Sequence, residues 1–80
     1  MQIDVIKDLV EGFTTEELDL AEDALLNDTE PDIKIPGDDA GEQLTHVLAA
    51  IWVIYDMYHF DKDFRSSIRS YYQKVRKSID

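Results

Sequence analysis

The sequence predicts an all-α fold, a small four-helix domain built around a long central helix. Three observations carry that prediction. Apolar residues recur three and four positions apart through most of the chain, both prolines fall in the single interval that breaks this rhythm, and capping pairs stand just ahead of helical segments.

The first helix is short, with Ile3, Ile6, Leu9, Val10 and Phe13 at helical spacing and Gly12 as its stop. Thr14-Thr15-Glu16-Glu17 then fits a capping box, in which the Thr14 hydroxyl accepts from the Glu17 amide while Glu17 reaches back. In the second helix Leu18, Ala21 and Leu25 form one face with Leu26 beside it, Glu16, Asp19 and Asp23 face solvent, and the end falls near Asn27. Residues 27–37, NDTEPDIKIPG, read as an extended acidic connection pinned to the core by Ile33 and Ile35. Counted from Asp28 this segment has some carboxylates of a calcium loop. Ile33 stands where that loop turns on glycine, however, and Asp39 where it needs a bidentate glutamate.

The third helix runs from Asp38 or Asp39 to about Phe60 and is apolar on two sides. Leu44, Val47, Leu48, Ile51, Ile54, Tyr55 and Tyr58 form one broad stripe, and Ala49, Ala50, Val53, Met57 and Phe60 lie roughly opposite. A helix apolar on both sides is covered on both sides, by its own chain or by a second subunit. Asp61 is placed to cap the fourth helix, where Phe64, Ile68, Tyr71, Val75 and Ile79 form a clean stripe beside a basic ridge of Lys62, Arg65, Arg69 and Arg76.

Eighty residues make one domain, residues 1–80, with a core small enough that oligomerisation is a natural source of extra stability. The absence of cysteine excludes disulfides, thiolate metal sites and a cysteine nucleophile. Ser66, Ser67, Ser70 and Ser78 have no strained turn or nearby base, so no serine nucleophile is indicated either. The start of the chain lacks the regions of a signal peptide, and the longest apolar run, Val47 to Tyr55, is too short to span a bilayer. A soluble cytoplasmic protein is expected, with no membrane partner.

The net charge of −10 argues against nucleic acid as a partner, but the charge is unevenly placed. Residues 62–80 hold six basic and two acidic residues, net +4, which leaves two basic and sixteen acidic in residues 1–61, net −14. The basic ridge is therefore read as pairing with acidic helices of its own or a second subunit.

Asp39, Glu42 and His46 are the candidate chemical site. They fall within about 40° of one another on the third helix, and a histidine with two carboxylates can hold a divalent metal or act as acid and base. A simpler account covers the same residues: Asp39 as N-cap and Glu42 three positions later are a helix start, and His46 sits one turn beyond. His59, roughly 140° around the helix from His46, does not join the cluster and sits near the helix end, where a cation is favoured.

The run Gly37-Asp38-Asp39-Ala40-Gly41-Glu42-Gln43-Leu44-Thr45-His46, continuing through Val47-Leu48-Ala49-Ala50-Ile51-Trp52, resembles a segment of short, acidic, uncharacterised bacterial proteins of about this length. Such proteins share a beginning like Val5-Ile6-Lys7-Asp8-Leu9-Val10, a Thr-Glu-Glu-Leu helix start and an ending like Val75-Arg76-Lys77-Ser78-Ile79. The resemblance implies a domain of unknown function and carries over no activity, cofactor or catalytic residue.

The expected function is a non-enzymatic protein-interaction or regulatory module with no cofactor, acting as a homodimer. Its contact surface is assigned to Ala49, Ala50, Val53, Met57 and Phe60 with Arg65, Arg69 and Arg76. The main alternative is a small metal-binding or metal-dependent protein using Asp39, Glu42 and His46. A further alternative is an acidic imitation of nucleic acid that occupies a basic protein.

Overall fold

The chain folds into four helices: α1 (Ile3–Gly12), α2 (Thr15–Leu26), α3 (Ala40–Phe60) and α4 (Phe64–Ile79). The computed structural model describes residues 2–79 and side chains as far as Lys77, so the side chains of Ser78 and Ile79 lie outside the described residues. Among the described residues there is no strand, and no helix is long and apolar enough to cross a membrane.

Local chemistry starts and stops the helices. At α2 both halves of the expected capping box form: the Glu17 amide donates to Thr14 Oγ1 at 3.2 Å, and the Thr14 amide donates to Glu17 Oε1 at 3.0 Å. Asp39 caps α3 by accepting from the Glu42 amide at 2.8 Å. The cap of α4 differs from expectation. Asp63, not Asp61, accepts from the Ser66 amide at 2.8 Å, because Asp61 is occupied in ending α3. Asp61 has φ 51° and ψ 50°, and the Lys62 amide behind it returns to the Met57 carbonyl. α2 closes in the same way on Asp28, φ 59°, with the Thr29 amide donating to Ala24 O and the Asp28 amide to Leu25 O. Two aspartates thus occupy left-handed positions that glycine fills more easily.

α3 is the axis of the molecule, and α1, α2 and α4 all pack on it. Its 21 residues rise about 31 Å, matching the longest extent of 32 Å, while the shortest extent of 18 Å leaves room for about two helix layers. The core is Ile6 and Leu9 of α1, Leu18 and Ala21 of α2, Ile35 of the connection, Val47, Ala49, Ala50 and Val53 of α3, and Ile68 of α4. Ile35 is buried as expected and Ile33 packs half-buried against the same cluster. Ile3 and Leu26, by contrast, are largely exposed.

Gly37 lets the connection turn tightly into α3. It has φ +155°, and a Cβ there would lie 2.8 Å from Gln43 Cγ and 2.9 Å from the Gln43 amide nitrogen. The same Gln43 donates from Nε2 to the Ile35 carbonyl at 2.7 Å, so the connection is stitched to the first turns of α3.

Candidate interaction surface on helix α3

The three residues of the candidate chemical site are all drawn into structural bonds. Asp39 Oδ1 accepts from the Glu42 amide, and Glu42 Oε1 accepts from the Asp38 amide at 3.1 Å. His46 is 1% exposed. Its Nδ1 lies 2.9 Å from the Pro36 carbonyl and its Nε2 accepts from the Gln2 amide at 3.1 Å, so the partners assign the Nδ1–H tautomer. One imidazole thus ties the start of α1, the end of the connection and α3 together, and coordination by either nitrogen would break one of those bonds. Among the described residues, no group of three or more His, Asp or Glu side chains is placed to hold a metal ion.

The other buried polar group of α3 is Asp56, whose side chain is 8% exposed. Its Oδ2 accepts from the fully buried Ser67 hydroxyl at 2.7 Å and from Lys62 Nζ at 3.0 Å, and Lys62 also donates to Ser70 Oγ at 3.1 Å. Burial pushes the Asp56 carboxyl up, but the hydrogen bonds from Ser67 and Lys62, with the Lys62 charge, outweigh it and hold the group below the usual carboxylate range. This cluster docks α4 on α3. Nearby, the Ser66 amide and hydroxyl hold the exposed Asp63 carboxyl low as well, assisted by the charges of Arg65 and Arg69.

The two faces of α3 are used in a different way from the one the sequence suggested. Ala49, Ala50 and Val53, expected at a subunit contact, are 0% exposed within the single chain and belong to its own core. The physical reason is close approach: three helices converge on α3, and its smallest side chains mark where they can come nearest. Met57 is half-buried, and Phe60 is 68% exposed. Arg65, Arg69 and Arg76 are exposed along α4.

The broad stripe, expected to be covered, is instead partly open within the single chain. Leu48 is 41% exposed, Tyr55 48% and Tyr58 84%, with Leu44 and Ile51 half-buried between them. Trp52 covers one side of this face by packing on Tyr71 of α4, ring centroids 5.4 Å apart, and His59 stacks on Tyr55 at 6.2 Å. Leu48, Ile51, Trp52, Tyr55, His59 and Phe60 line a shallow groove of about 400 Å³. Exposed apolar faces of this kind occur at protein contacts and at ligand-binding grooves.

The profile of a family of unknown function, DUF6952, matches residues 1–80. The chain belongs to that family. No curated protein and no solved structure matches it. For this DUF6952 chain the resemblance noted from the GDDAGEQLTHVLAAIW run therefore holds at the level of an uncharacterised domain family.

Two features of the surface escaped sequence reasoning. The openness of Leu48 and Tyr55 is one, because apolar periodicity alone does not say which of two opposite faces is inside. Asp56 carried a usable signal, being the one carboxylate between Glu42 and Asp61. A single acid inside so apolar a helix needs a partner, and Lys62 and Ser67 lie within three turns of it.

Proposed function

We propose that the protein is a non-enzymatic interaction module of a regulatory kind, acting as a homodimer, and that its contact surface is the outer face of α3 around Leu48, Ile51 and Tyr55. The observation that carries this reading is the open apolar stripe itself, on a helix whose other side is already filled by the chain's own core. Water-exposed apolar area of this extent costs free energy that association recovers, at about 25 cal/mol per Å². The polar groups of α3 support the same reading, since His46 and Asp56 hold helices together.

Sedimentation equilibrium tests it over a concentration series into the tens of micromolar, the range in which micromolar affinities show. The expected result is a mass that rises toward twice the 9.3 kDa of the chain. A monomer throughout that range contradicts the homodimer.

A further inference from the structure

We infer that two copies of the chain pair antiparallel along α3, with the twofold axis at Ile51. This rests on the homodimer proposed above and adds its geometry. Leu44, Leu48, Ile51, Tyr55 and Tyr58 are spaced four, three, four and three residues apart, the alternation that makes a straight seam on a helix and lets it pack against another at a shallow crossing angle. All five are exposed or half-buried, so the seam is open along its whole length.

Its side chains are graded in size. Leucines occupy the N-terminal half and tyrosines the C-terminal half, with Ile51 at the centre. Antiparallel pairing about Ile51 sets Leu44 of one copy against Tyr58 of the other, Leu48 against Tyr55, and Ile51 against Ile51. Each outer layer then holds one large and one small side chain, the central layer two isoleucines of middle size, and the helices keep an even separation. Parallel pairing would stack tyrosine on tyrosine at one end and leucine on leucine at the other, forcing the helices into a wedge.

Charge selects the same orientation. The N-terminal end of α3 carries Asp38, Asp39 and Glu42, whereas at its other end Asp61, Lys62, Asp63 and Arg65 sum to zero charge. Antiparallel packing sets each acidic end beside a neutral one and opposes the two helix dipoles, while parallel packing sets acid beside acid. The open area is modest. Tyr55 and Tyr58 together leave roughly 260 Å² exposed, taking ~200 Å² for a whole aromatic side chain. Leu48 and the half-buried Leu44 and Ile51 bring the seam to roughly 400–450 Å², and Phe60, 68% exposed in the same groove, carries it toward the roughly 600 Å² per partner at which specific interfaces begin, which fits a weak dimer.

Because the chain has no cysteine, single-cysteine variants report the pairing without background. Under mild oxidation of the full chain at tens of micromolar, Ile51→Cys should form a disulfide dimer, since a seam residue on the twofold axis meets its own copy. Leu44→Cys alone and Tyr58→Cys alone should stay unlinked, as each lies about 21 Å along the axis from its own copy at ~1.5 Å per residue. Mixed in equal amounts, the two should link to each other. Self-linking of Leu44→Cys and of Tyr58→Cys, with no preference in the mixture, overturns the antiparallel arrangement while leaving the homodimer standing. No linking in any sample, with the wild type sedimenting as a monomer, overturns both. Circular dichroism of each variant separates lost pairing from lost folding, and Tyr58→Cys, at an 84% exposed position, guards against a variant that fails to fold.

Discussion

His46 shows how much one buried side chain can organise. Its two ring nitrogens join the Gln2 amide and the Pro36 carbonyl, 44 and 10 positions away in sequence. His46→Ala leaves both groups without that partner and opens a cavity, so it should lower stability by about 2–4 kcal/mol in urea unfolding. Metal content measured on untagged protein should be the same in wild type and variant; stoichiometric metal lost on substitution would restore the Asp39, Glu42 and His46 metal reading. Asp56 makes a second prediction. Its folded carboxyl titrates below the ordinary value near 3.9, so its contribution is fully present above about pH 4 and is lost as pH falls through the lower folded value. Asp56→Asn should cost about 1–3 kcal/mol at pH 7, because Lys62 and Ser67 lose their charged acceptor, and should flatten the acid limb of the stability profile. A profile equally steep in the variant would contradict the assignment.

At the scale of elements, what was legible in the sequence is what short-range chemistry decides. Thr14 with Glu17 and Asp39 with Glu42 place the starts of α2 and α3 because each cap joins residues only three apart. The α3–α4 junction was less legible because Asp61-Lys62-Asp63 offers two aspartates in succession, and only the closing turn of α3 decides between them. Asp63→Ala should therefore lower the urea midpoint, since the Ser66 amide loses its acceptor, whereas Asp61→Gly should raise it by relieving a left-handed aspartate. The opposite order would assign the cap to Asp61. Which side of α3 faces inward was not legible at all. Both sides are apolar, and the choice depends on how the other three helices pack on α3 to bury Ala49, Ala50 and Val53, a tertiary fact with no local signature. Tyr55 and Tyr58 suit the outside in retrospect, since a tyrosine pairs an apolar ring with a hydroxyl that water can satisfy.

At the scale of the molecule, the core among the described residues comes from ten buried apolar side chains, three of them alanines, so the fold is built with little apolar volume in reserve. The long helix that supplies much of this core also carries the open stripe, and the proposed dimer, by covering it, would stabilise the folded chain by mass action. In the proposed homodimer the outer face of α3 makes the contact while the inner face makes the fold. The most direct test is sedimentation of Tyr55→Glu beside the wild type at the same tens-of-micromolar concentration, with circular dichroism to confirm that both are folded. The account predicts a dimeric wild type and a folded, monomeric variant at the 9.3 kDa of the single chain. A variant that remains as dimeric as the wild type would contradict it.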